Sequence, residues 1–384
     1  MRKIQIGLLI LILGLALVVQ GCSISSTSDG PGGGTNDPTP TPVPGESGVI
    51  HVSTSITAPT TWTNDNLYIL DKGIFVKAAL NIEPGTIIKF QLNTYISVDS
   101  TGLIIANGAA NDPINPAPIT FTSIRDDSIG GDTNGDGTLT SPAKGNWMDI
   151  KVAGSGSLFN YCRFSYGGSG GYEYDALVET TLTAAVTYTN CTFSHSQNSG
   201  LSLRSGSATS TVSGNTFFDT TKPLWLPCAI NVDDSNVFHN PDLLTQGNAY
   251  NAIWIDGGTI RSSAGWGETE VPFVLKGGIS IEAGDTLTLQ PGVIIKTTTG
   301  SINATGNIVA IGTPTNRITF TSYKDDSVGG DTDNVAGEAG HGDWGKLYFG
   351  ANGSNLTYCN IFYGGSGTLP ICAIQSGTTT IDHC

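Results

Sequence analysis

The segment Asp132-Thr133-Asn134-Gly135-Asp136-Gly137 places carboxylate or amide oxygens at alternate positions, with glycine at the sixth. Alternate side chains in a tight loop converge on one point, so this spacing fits the first half of a twelve-residue calcium loop. The bidentate glutamate that completes such a loop is missing, because Ala143 stands at the twelfth position. Asp126 and Asp127, just upstream, can supply the missing charge if the loop folds back on itself. Calcium is the expected cofactor, with Asp126, Asp127, Asp132, Asn134 and Asp136 as ligands. A weaker second copy offers Asp326, Asp331 and Asp333, but Val335 replaces its third ligand. The alternative is a solvated turn whose aspartates accept backbone amides in Asx-turns.

Other chemistry is less legible. Polysaccharide lysis needs a base facing a cation or a charge-neutralising group, and hydrolysis needs two carboxyls roughly 5–10 Å apart. Asp175, His195 and Arg204 are the weak catalytic candidates, and Tyr172, Tyr174 and Trp225 could stack on sugar rings. A surface turn with a few polar residues is the plainer account of Tyr172-Glu173-Tyr174-Asp175. Lys89 and Lys296 close two Ile-Ile-Lys strands and are expected as exposed charges that discourage edge pairing. His51, His239, His341 and His383 lack metal-ligand spacing. No phosphate loop, zinc spacing or Ser-His-Asp order is legible.

The elements that must position these residues are repetitive. Ile119-Thr120-Phe121-Thr122-Ser123, Asp126-Asp127-Ser128 and Gly130-Gly131-Asp132-Thr133 recur as Ile318-Thr319-Phe320-Thr321-Ser322, Asp325-Asp326-Ser327 and Gly329-Gly330-Asp331-Thr332. Trp62 matches Trp266, Trp147 matches Trp344, and Tyr161-Cys162 matches Tyr358-Cys359. A unit of roughly 200 residues therefore runs over 48–250 and again, incompletely, over 251–384. A finer period sets Phe164, Phe193, Phe217 and Phe238 each two residues after Cys162, Cys191, Asn215 and Asn236. Short alternating runs, Gly/Ser turns, no helical periodicity and a period of roughly 20–30 residues describe an all-β solenoid. One Phe column should fill its interior, and a small polar column should bond from coil to coil. The recurring tryptophans are expected to pack, and Cys162, Cys191 and Cys359 to be buried thiols. Ile381 to Cys384 form no polar cap, which makes a longer parent chain the expectation.

Trp62, Tyr68-Ile69-Leu70, the run from Leu80 to Phe90, Leu103, Gly108 and Pro118 to Ser123 resemble the repeats of bacterial right-handed parallel β-helix surface proteins. That group shares the architecture of the pectin-lyase-like superfamily. The resemblance covers 48–384 and implies a right-handed parallel β-helix. It implies little about activity, because this architecture carries lyases, hydrolases, epimerases and adhesins.

The N-terminus sets the compartment. Arg2 and Lys3 precede an apolar run from Ile4 to Val19, short for a membrane span and fitting a signal peptide over 1–21. Val19-Gln20-Gly21-Cys22 resembles the lipobox of bacterial lipoproteins, with Val and Gln in place of the commoner Leu and Ala or Ser. It implies lipidation of Cys22, an exported protein and a membrane anchor at the outer membrane or cell surface. An ordinary secretory signal with a stray cysteine is the alternative. The Ser/Pro/Gly-rich stretch 22–47 reads as a disordered tether. Net charge is −15 with 13% charged residues, which argues against nucleic acid and anionic lipid surfaces as partners. A surface polysaccharide or another surface protein remains. The sequence thus favours a non-catalytic, adhesin-like surface module with calcium-stabilised loops. A carbohydrate-active enzyme (lyase or hydrolase) and a carbohydrate-binding protein are the alternatives.

Overall fold

The computed structural model describes residues 48–110, 118–172, 175–204, 206–376 and 378–384. The signal segment, Cys22, the tether, Glu173 and Tyr174 lie outside the described residues. Strands of three to five residues alternate with turns, and no helix occurs among the described residues. Neighbouring strands pair in parallel and in register from coil to coil, as in Phe121, Phe164, Phe193 and Phe217. The result is a parallel β-helix. Its strands fall into sheets of seven, eleven, six, five and five strands.

Stacking turns sequence columns into ladders. Phe121, Phe164, Phe193, Phe217 and Phe238 are fully buried, with successive ring centroids 4.8, 5.0, 5.1 and 5.4 Å apart. Each such pair adds about 0.5–1.5 kcal/mol beyond its area burial. Beside it runs the polar column. The Cys162 and Cys191 thiols lie against the carbonyls of Ala106 and Phe159, one coil back, at 3.3 and 3.4 Å. Asn215 and Asn236 donate their amides to Tyr188 and Val212 in the same way. Asn215 also accepts from the Cys191 amide at 3.0 Å, and Asn236 from the Asn215 amide at 3.1 Å. All six cysteines from Cys162 onward are free thiols. Trp62, Trp147, Trp266 and Trp344 are buried, and the Trp147 and Trp344 indoles donate to Ser165 and Phe362 at 2.8 Å each.

The duplication carries a rotation. Strand Ile87–Phe90 lies in the seven-stranded sheet, but its counterpart Ile294–Thr297 lies in the eleven-stranded sheet. Strand Ile96–Val98 lies in the eleven-stranded sheet, and its counterpart Ile302–Ala304 in a five-stranded one. Equivalent strands are thus displaced by one face of the solenoid. The change occurs after Lys222–Leu226, where Ile253–Ile255 joins the eleven-stranded sheet directly beside it. The two acidic segments consequently leave from different faces.

Candidate metal centre

The first acidic segment begins where strand Ile119–Ser123 ends. Thr122 donates its hydroxyl to Asp126 at 2.6 Å, and Ser128 donates to the other oxygen at 2.5 Å. This lock folds the chain back over the outer face of its own sheet. There Ile124 packs on Leu67, Ile69 and Ile87 in a small apolar cluster outside the main core. Lys89 lies beneath the returning chain. It is fully buried, and its ammonium donates to the carbonyls of Asp126 at 2.9 Å and Gly131 at 2.7 Å. Burial lowers its pKa, opposed by the nearby charges of Asp126, Asp127 and Asp132.

Lys89 and Lys296 are not the exposed strand-end charges that the sequence predicts. Both point outward from their strands, but the loop covers them. Lys296 is likewise fully buried and donates to the carbonyls of Asp325, at 2.8 Å, and Gly330. The repeated Thr–Asp–Ser lock recurs as Thr321, Asp325 and Ser327.

Above the lysine the loop gathers carboxylates. One oxygen each from Asp127, Asp132 and Asp136 lies within 4.8 Å of the others, and Asp326, Asp331 and Asp333 form the same arrangement in the second loop. Asp132 accepts the Gly137 and Gly135 amides at 2.8 Å each, which lowers its pKa, the Gly137 bond contributing most. Both glycines have φ near +70°, a region that side-chain-bearing residues rarely adopt. Asp127 and Asp326 each bury one oxygen that has no hydrogen-bond partner. The other two sequence candidates make further bonds beside the trio. Asp126 spends its carboxylate on the lock. Asn134 aims its amide nitrogen at Asp136, at 2.9 Å, while its oxygen accepts the Asp136 amide. Three hard carboxylate oxygens around one point suit calcium, with backbone carbonyls or water completing its shell.

The weak catalytic candidates occupy three separate environments. Asp175 is buried and accepts the Tyr172 amide at 2.8 Å. His195 packs on Tyr166 at 4.9 Å and lies 3.7 Å from Asp219. Arg204 pairs with Asp256 and lies over the Trp225 ring. Trp225 cannot offer its face to a sugar. It is 1% exposed, packed with Trp254, Ala252 and Val274 in a second cluster outside the core.

A charged cluster on the eleven-stranded sheet escaped sequence reasoning. Lys151 and Glu179 are register partners on adjacent strands, and the ammonium lies 3.4 Å from Asp149 and 3.6 Å from Glu179. Burial raises the Asp149 pKa to about 6 and that of Glu179 to about 7. One Glu179 oxygen is buried without a partner. Aligning coils rather than units would have shown Lys151 and Glu179 at equivalent outward positions.

Fold and loops together define a class: a duplicated parallel β-helix carrying a lysine-pinned acidic loop on each unit. Comparison with known proteins adds no narrower name, since no family model, curated protein or solved structure matches the chain.

Proposed function

We propose that this protein is a non-catalytic surface-binding module in which calcium orders the two acidic loops against the β-helix. One observation carries the reading. Two loops on different faces, with different aspartate spacings, each gather three carboxylates above a buried lysine. Clustered carboxylates repel one another unless a cation neutralises them, and each trio includes an aspartate with an unpartnered buried oxygen. Affinity should be modest, about 10⁻⁴ to 10⁻³ M, as in extracellular modules without a bidentate glutamate. Calorimetry should detect two calcium sites per chain. Asp132→Ala should remove one and Asp331→Ala the other, whereas a titration without heat would discard the reading.

An exported, lipid-anchored location belongs to the same proposal, on the strength of the apolar run before Cys22. Cys22→Ser should release the protein from the membrane fraction and abolish fatty-acid labelling. Retention with membranes would point to another attachment. A second reading, a carbohydrate-active enzyme, draws support from Asp149 and Glu179, whose raised pKa values suit proton transfer near neutral pH.

A further inference from the structure

We propose that each unit carries a thiol pair, Cys162 with Cys191 and Cys359 with Cys384, that closes into a disulfide joining consecutive coils. The pairing is independent of calcium. Both pairs stand at the same place in the polar column. In the first unit the register partners Asn160 and Thr189 precede the pair, and Arg163 and Thr192 follow it. In the second, Thr357 and Asp382 are register partners, and the Tyr358 and His383 rings stack 4.6 Å apart just before the cysteines.

The backbone aims the four thiols alike. Tyr161, Asn190, Tyr358 and His383, each one residue before a cysteine, have φ between 48° and 54°. After this left-handed step every thiol lies against a carbonyl one coil back. Cys162 meets Ala106 at 3.3 Å and Cys359 meets Ala310 at 3.4 Å. Cys191 meets Phe159 and Cys384 meets Leu356, at 3.4 Å each. Strands in register lie about 4.8 Å apart, inside the Cα separation of about 4.4–6.8 Å that a disulfide spans. Burial raises the Cys162 pKa, and a hydrogen bond with the Cys191 thiol adds to the rise. The two sulfurs are already neighbours.

Packing alone does not call for cysteine here. Asn215 and Asn236 fill later rungs of the column and donate to carbonyls one coil back at 3.0 and 3.3 Å. They also accept the amides of Cys191 and Asn215. A thiol is a weak donor and a weak acceptor, so it makes the poorer rung. Yet in both units thiols occupy two consecutive rungs. Two adjacent cysteines supply what asparagine cannot, a covalent rung.

The oxidant must itself be a disulfide, that of a thiol oxidase or of a small thiol. One cysteine thiolate attacks an oxidant sulfur, forming a mixed disulfide, and the second cysteine displaces the remaining oxidant sulfur. The protein gains one S–S bond and the oxidant loses one. Two electrons and two protons pass to the oxidant, which leaves as thiols. Cys162 and Cys191 are each 1% exposed, so the exchange takes place as the coils stack.

The test is to refold the reduced full chain with glutathione disulfide, block free thiols with N-ethylmaleimide in denaturant, and digest with trypsin. Cys162 lies on peptide 152–163 and Cys191 on 164–204, so their bond should appear as two linked peptides that part on reduction. Peptide 347–384 holds Cys359, Cys372 and Cys384 and should carry one maleimide, on Cys372. Cys228, outside the column, should be blocked. Cys191→Asn, which places an asparagine on that rung, should leave Cys162 unlinked to any peptide while the second pair still closes. Maleimide or glutathione on both members of either pair would overturn the proposal, as would a bond from any of the four to Cys228 or Cys372.

Discussion

The two acidic loops share a mechanism of attachment but little of their surroundings. Each has a Thr–Asp–Ser lock, a buried lysine bonded to two loop carbonyls and a trio of carboxylates above it. The first loop rests on an aliphatic patch of Leu67, Ile69, Ile87 and Ile124. The second sits at a face where Trp225 and Trp254 form the patch and Tyr323 packs on it. Asn334 of the second loop also donates to the Ala249 carbonyl at 3.1 Å, reaching the connection between the units. Even the third carboxylate differs, Asp136 in one loop and Asp333 in the other, at unequal distances from the shared Gly-Gly-Asp. The pinned turn is the constant element, and the carboxylate trio is assembled on it by two routes.

Replacing the lysines should break both loops, and unequally. Lys89→Met keeps the stem but leaves the Asp126 and Gly131 carbonyls without their charged donor. Two charge-assisted bonds are lost, so a destabilisation of about 3 kcal/mol is expected in urea unfolding, with rapid amide exchange across 124–140. Lys296→Met should cost less, about 2 kcal/mol, because the tryptophan patch and Asn334 still hold the second loop. Equal losses would show that the surroundings do not distinguish the loops, and negligible losses with protected amides in both variants would show that the pin is incidental.

A smaller effect separates the units at their junction. Asn64, two residues after Trp62, is exposed and donates to the Pro84 carbonyl at 2.9 Å. Glu268, two residues after Trp266, is fully buried, with one oxygen unpartnered and its pKa raised by burial to about 8. The unfolded chain releases this proton near its ordinary value of 4.5, and the folded chain only near 8. Stability should therefore fall as pH rises between those values and level off above them. Glu268→Gln should flatten part of that slope and stabilise the protein at pH 7.5 by roughly 2 kcal/mol. A parallel pH profile for the variant would place the carboxyl in a better-solvated site. Glu179 and Asp149 shift in the same direction and leave a residual slope.

Much of the scaffold was legible because a solenoid repeats its packing in one dimension. The Phe column, the Cys/Asn column and the tryptophans all fall where their spacing predicts. Asp127, Asp132 and Asp136 were also legible, being close in sequence and separated by glycines. Lys89 was not, because strand alternation gives a side chain's direction and says nothing of what later folds over it. The missed signal was the company it keeps: Ile87 on the same outer row, and a long insertion one coil later. Glu179 meets Lys151 and its sequence neighbour Asp149 only through register across coils of unequal length. The rotation of the second unit is hidden for the same reason, since matching two copies does not count the faces between them.

If a cation completes both loops, the melting temperature must be higher in calcium than in chelator. At a calcium concentration ten times the dissociation constant, each site should add about 1.4 kcal/mol, raising the midpoint by a few degrees. Asp132→Ala should lose about half of that rise, and Asp132→Ala with Asp331→Ala nearly all of it. Superimposable melting curves in calcium and chelator would rule out calcium in both loops and leave the aspartates as turn formers above two buried lysines.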